Sequence, residues 1–231
     1  MKKYFPFIIV GTVAILTVAS ATVLYHAKRP APLTIPKNAK TSEGGKNDAR
    51  HIRGNANAPV TLEEFGDFEC PPCGALSGVI AQLEQDYRSQ VRVIYRHFPL
   101  LVHAHARDAA FAAEAAGLQG RFWEMHDLLY KEQREWSKAP DPRLLFQAYA
   151  GMLGLNAERF KKDIEGDEAK MHVRADQESG AKLGVKNTPT IFINNVEVQA
   201  ASLSPPSLRA AVDAAVKSSS KNSAEKEKAA K

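Results

Sequence analysis

The sequence predicts an α/β fold in which one sheet domain is interrupted by an all-helical insertion. Three observations predict it. "VTLEEF" at 60–65 and "VRVIYRHF" at 91–98 are rich in β-branched and aromatic residues and stop at Gly66 and Pro99, as strands do. Between them Leu76, Val79, Ile80, Leu83 and Tyr87 recur at helical spacing, which makes a βαβ unit. After a long helical stretch at 103–183, "TPTIFIN" at 188–194 returns to strand character.

Taken in order, the chain opens with Lys2 and Lys3, then Tyr4–Tyr25, 22 residues without a charge, then His26, Lys28 and Arg29. The apolar part of a cleaved signal runs about 7–15 residues and a spanning helix needs about 20. Length therefore predicts a retained transmembrane anchor within 1–29, with Ala19-Ser20-Ala21 as a competing cleavage site. Either outcome exports the remainder to an oxidising compartment on the periplasmic side. Residues 30–50 mix Pro, Gly, Lys and Ser with no apolar period, the composition of a flexible linker.

The sheet domain is expected at 51–101 and 184–218, with the helical insertion at 102–183. Within the insertion Phe111, Ala115 and Leu118 share a face, as do Phe122, Met125 and Leu129. Asp141-Pro142 and Asn156 are helix-start signals. Asn194-Asn195 can take positive φ and turn the chain into "VEVQA" as a hairpin. Ser204-Pro205 opens a last helix with Leu208, Val212, Ala215 and Val216 on one face. The charged, Ser- and Ala-rich residues 219–231 are expected to be a disordered tail.

Composition narrows function. The net charge of +5 is inflated by lysines near both ends of the chain, and no basic stripe interleaves with aromatics, which argues against nucleic-acid binding. The only two cysteines are Cys70 and Cys73, in "FGDFECPPCGAL". As a staple, a bridge across so small a ring removes about 2 kcal/mol of chain entropy and is geometrically confined. As a metal clamp, the pair lacks the three or four ligands needed. Of the nearest histidines, His97, His103 and His105, the last two sit where a strand-end loop becomes a helix, a place where solvated histidines are the rule.

Redox chemistry fits best. A cysteine at a helix start faces unpaired N–H groups and the positive end of the helix dipole, which favour its thiolate. Cys70 would exchange with substrate, and Cys73, one turn in and more buried, would resolve the mixed disulfide. Thr188-Pro189-Thr190 opens a strand at a proline that cannot supply a ladder N–H.

Over residues 51–218 the chain resembles the thioredoxin-fold thiol oxidoreductases of the DsbA type. The likeness rests on "APVTLEEFGDFECPPC", "YRHFPL", "AAEAAGLQGRFWEMHDLLY" and "GVKNTPTIFIN". It implies a thioredoxin-like fold with an inserted helical cap, and a cis-proline at Pro189 that lies against the disulfide and, with Thr188, presents backbone to a substrate peptide. It implies no cofactor and no metal.

The expected substrates are reduced or misfolded exported proteins. The expected recycling partner is a membrane quinone-linked protein, DsbB-like or vitamin K epoxide reductase-like, and a monomer is expected. An isomerase or reductase is the alternative direction, since Thr188 suits both, and a metal-delivery protein is the alternative class.

Pro72 stands where strong oxidants of this family carry histidine, and Pro71 and Pro72 remove two N–H donors from the first turn. The Cys70 pKa is accordingly expected at about 5–7, above the roughly 3.5 of DsbA. Asp67 and Glu69, close to Cys70 in sequence, are read as solvated loop charges, with proton shuttling as the alternative.

Overall fold

Side chains alternate along Val60–Gly66, so Leu62 and Glu64 face one side of the sheet and Glu63 and Phe65 the other. A computed structural model describes Ser20 and residues 50–229, with side chains as far as Asn222. In it Val60–Gly66 is β2, the middle of five strands in the order β1-β3-β2-β4-β5. Strand β3 (Val91–His97) runs parallel to β2, Val60 opposite Val91. The crossover between them is helix α1 (Pro71–Tyr87). On the other side β4 (Thr190–Ile193) runs antiparallel to β2, Leu62 opposite Ile193. Asn194 and Asn195, at φ 48° and 67°, turn β4 into β5 (Val196–Val198). A short β1 (Ile52–Gly54) adds antiparallel to β3; three residues are too few to show a period, and no sequence signal marks this strand.

Six helices make the insertion: α2 (Ala106–Gly117), α3 (Phe122–Lys131), α4 (Gln133–Trp136), α5 (Arg143–Met152), α6 (Ala157–Ile164) and α7 (Asp167–Leu183). Helix α2 is the hub; its buried alanines let α3, α6 and α7 approach closely. Asn156 caps α6 by accepting the Arg159 N–H at 2.8 Å. Asp141 accepts the Arg143 N–H at 3.0 Å, and α5 starts after Pro142 rather than at it.

The last helix, α8 (Pro205–Ala229), packs Leu208 and Val212 with α1 residues Leu76, Ile80 and Leu83 on one sheet face, against Val60, Leu62 and Ile191. It also overturns the expectation of a disordered tail from 219. No Gly or Pro interrupts 207–229, and a tail rich in Ala, Lys and Glu propagates a helix already nucleated by packing.

The other sheet face carries Phe65, Phe192 and Val185. A third buried cluster joins Met125, Leu129, Trp136, Phe146 and Phe160 of the insertion to Phe68, Tyr95 and both cysteines. The cysteine pair thus lies at the seam between sheet and insertion. The anchor expected at 1–29 and the linker expected at 30–50 fall, apart from Ser20 and Arg50, outside the described residues. Among the described residues no helix is long and apolar enough to cross a membrane.

Candidate active site

The site is built on the start of α1. Cys70 is its N-cap, with extended backbone (φ −71°, ψ 118°), and Pro71 and Pro72 occupy the first two helical positions. Those prolines offer no N–H to the sulfur, so the helix start alone is a weak thiolate trap. The insertion fixes the turn: Gln133 Nε2 donates to the Phe68 carbonyl at 2.7 Å and the Cys70 carbonyl at 2.9 Å. This clamp requires Gly74, since a Cβ there would lie 2.7 Å from Gln133 Oε1.

Both thiols are free, Cys70 5% exposed and Cys73 wholly buried. Their acidities are driven apart. The Cys73 side chain first, then the Thr188 side chain and the Cys73 backbone N–H, lower the Cys70 pKa to about 6 against the opposing effect of burial. The Thr188 hydroxyl is buried with no hydrogen-bond partner, so it acts on Cys70 from nearby and not as a bonded donor. Burial, with its bond to Cys70, pushes the Cys73 thiol far above the ordinary thiol range. The reduced pair therefore holds one thiolate and one thiol at neutral pH.

The structure brings Cys70, Cys73, Thr188 and Pro189 together. Cys70 Sγ lies 3.3 Å from the Thr188 carbonyl, to which it donates when protonated, and the Thr188–Pro189 bond is cis. Asp67 and Glu69 require a correction, because neither is a solvated charge. Asp67 is 1% exposed; its Oδ2 accepts the Leu100 N–H at 2.8 Å and pairs with His103 Nδ1 at 2.7 Å, and its Oδ1 accepts the Glu69 N–H. Glu69, half-buried, accepts the His105 N–H at 2.6 Å. Two loops far apart in sequence fold onto each other here, so the carboxylates satisfy backbone donors that would otherwise be buried unpaired. Although desolvation works against it, the Asp67 bond raises the His103 pKa, with the Cys70 charge contributing. The Asp67 bond thus favours the protonated form of His103, on a loop other than the one that carries Pro72.

Glu64 was missed by sequence reasoning. It is 1% exposed, and burial, then the Cys70 charge, raises its pKa to about 8. Its charge in turn raises Cys73. A signal existed: Glu63-Glu64 stands inside a strand covered on both faces, so alternation puts an acid on each. Glu63 finds Arg96 at 2.9 Å, whereas Glu64 Oε1 has no hydrogen-bond partner and is left to titrate beside the cysteines.

One acidic thiol at a helix start, a protonated thiol behind it and a buried acid beneath them define a thiol–disulfide oxidoreductase site. The family model described as thioredoxin matches residues 46–214. The chain belongs to that thioredoxin family.

Its fold is similar to that of oxidised BdbD from Bacillus subtilis (TM-score 0.64, 22% identity, covering 72% of this chain and 92% of that one). It is similar, at 28% identity and TM-score 0.62 with the same coverage, to a thioredoxin-like oxidoreductase from Silicibacter pomeroyi DSS-3. The alpha-DsbA2 thiol-disulfide exchange protein of Wolbachia pipientis shares the fold at TM-score 0.59 and 22% identity, covering 70% of this chain and 84% of that one. Among curated relatives, a Na(+)/H(+) antiporter NhaA 1 from Salinispora arenicola (strain CNS-205) is 41% identical over 148 residues, 64% of this chain and 22% of that protein. The chain spans about a fifth of the length of the curated relatives it matches, and their antiport is a statement about those proteins.

Proposed function

We propose that the protein is an exported disulfide donor. The oxidised Cys70–Cys73 pair accepts a substrate thiolate at Cys70, releasing Cys73 as the leaving thiolate. A second substrate thiolate then attacks the substrate-side sulfur of the mixed disulfide, the substrate leaves oxidised, and the pair is left reduced. The observation that carries this reading is the Cys70–Cys73 pair at a helix start, with Cys70 Sγ 3.3 Å from the carbonyl ahead of the cis-proline; the lowered Cys70 pKa, about 6, accords with it. A stabilised thiolate favours the reduced pair, which makes its disulfide the better oxidant. Glu64, able to gain or lose a proton near neutral pH, is placed to take up and return the Cys73 proton.

Leu101 and Val102, 89% and 83% exposed, sit on the loop held by Asp67 beside Cys70 and offer an apolar ridge to unfolded chains. Reoxidation would fall to a membrane quinone-linked partner. Tethering by residues 4–25 would hold the domain at that membrane, in accord with related segments lying within proteins named as antiporters. Fractionation with N-terminal sequencing checks this: a mature protein beginning near Thr22 and wholly soluble would refute the tether.

The decisive measurement for direction is the reduction potential of the pair. It is expected between roughly −270 mV, the thioredoxin value, and roughly −120 mV, the DsbA value. A potential at or below that of thioredoxin would make the protein a reductant.

A further inference from the structure

Away from the cysteines, four elements converge on one buried carboxylate. Glu114 of α2 is 1% exposed, His97 at the end of β3 is 1% exposed, and His51, just ahead of β1, is 8% exposed. Glu114 Oε1 meets His51 Nε2 at 2.7 Å and His97 Nε2 at 2.9 Å, while Oε2 meets His172 Nδ1 of α7 at 2.8 Å. The redox mechanism uses none of these groups.

We propose that His51, His97 and Glu114 bind one divalent transition-metal ion of the zinc type, with His172 holding the outer carboxylate oxygen. Three features carry the assignment. The first is the donor set: two imidazole nitrogens and a carboxylate oxygen, all within 4.8 Å of one another. Zinc is held by such a set at about 2.0–2.2 Å with a fourth position left open. Both Nε2 atoms already converge on Glu114 Oε1, so an ion among them would take the place of those two hydrogen bonds.

The second feature is support around the ligands. The His51 ring stacks flat on Phe122, centroids 3.4 Å apart and planes 4° from parallel. The His172 bond orients the carboxylate, as outer groups do for metal ligands. The third is access: a cavity of about 330 Å³, whose lining includes Arg50, His51, Glu114, Phe122, Trp123 and His172, opens onto two of the three ligands and has room for a water there. Arg50 lies on this cavity with its guanidinium bonded to Asp176 and the His172 carbonyl. The bound ion would tie β1 and β3 of the sheet to α2 and α7 of the insertion.

The proposal stands apart from the thiol chemistry, and its test removes the thiols. The metal-stripped full chain carrying Cys70→Ser and Cys73→Ser is titrated with Zn²⁺ by calorimetry. One equivalent is expected to bind, about 10–100-fold more weakly in His172→Gln, the change typical of an outer partner. Glu114→Gln and His51→Gln should weaken binding at least as much. Because Glu114 variants could misfold, histidine ¹⁵N spectra of the folded double-serine protein supply a second readout. Zinc should shift the Nε2 resonances of His51 and His97 and leave those of His103 and His105 in place. No saturable binding, binding unchanged by the His51 and Glu114 substitutions, or unmoved His51 and His97 resonances would each overturn the site and leave a hydrogen-bonded histidine cluster.

Discussion

The Cys73 side chain is the largest cause of the lowered Cys70 pKa, and this separates two substitutions usually treated alike. Removing the donor in Cys73→Ala should raise the Cys70 pKa by about 1–2 units, since a hydrogen bond to a charged group contributes about 1.5–3 kcal/mol and a unit is about 1.36. Cys73→Ser keeps an O–H donor and should shift it less. Thiolate absorbance against pH measures both; equal values would mean that the second thiol does not tune the first.

Glu64 makes a separate prediction about stability. Its folded pKa of about 8 lies above the ordinary carboxyl value of 4.5, so between those values the folded state holds a proton that the unfolded state has lost. Stability falls as pH rises through that window, by about 1.4 kcal/mol per unit. Cys70 acts oppositely: its pKa is depressed, so its contribution grows as pH rises above 6 and is lost below. In a Cys70→Ser background, where burial alone raises Glu64, Glu64→Gln should lessen the loss of urea stability between pH 5 and pH 8, leaving the share of the shifted histidines His103 and His172. A slope identical with and without Glu64 would place the titrating group elsewhere.

At the scale of elements, the strand period explains why adjacent acids behave so differently. Glu63 turns toward α7 and Arg96; Glu64 turns toward α1 and the cysteines. The same close packing makes Gly180 of α7 sensitive, because a Cβ there would fall 2.8 Å from the Phe98 ring and 2.9 Å from that of Phe65. At an exposed helix position Gly→Ala gains about 0.8–1.0 kcal/mol. Here overpacking costs about 1–3 kcal/mol, so Gly180→Ala should lose on the order of 1 kcal/mol, read as a lower denaturation midpoint with unchanged m-value.

For the whole molecule, the insertion is joined to the sheet by buried charge as well as apolar contact. Arg96 of β3 reaches Glu63 at 2.9 Å and Asp176 of α7 at 3.1 Å, and Arg50 reaches Asp176 at 3.0 Å. Removing one partner leaves buried charge uncompensated. Asp176→Ala should therefore cost about 3 kcal/mol and speed amide exchange in α7 more than in α1. Uniform exchange changes would mean that sheet and insertion unfold as one unit regardless of this network.

Local pattern was enough for the βαβ unit, the Asn194-Asn195 turn and the helix-start position of Cys70. Each depends on a period of 2 or 3.6 or on the backbone preference of a Pro or Asn, properties carried within a few residues. The extension of α8 beyond 218 shows the limit of composition: the same polar residues read as disorder in isolation and as helix once a packed turn precedes them. Partnership was not legible. His51 and Glu114 are 63 positions apart, Asp67 and His103 are 36, and Arg50 and Asp176 are 126. Nothing within a strand says whether its buried acid will meet an arginine, as Glu63 does, or two thiols, as Glu64 does. That depends on which segment the chain lays across each face, and burial then sets the charge: desolvation raises an unpaired carboxyl such as Glu64, while the bonds from three histidines outweigh it and hold Glu114 ionised.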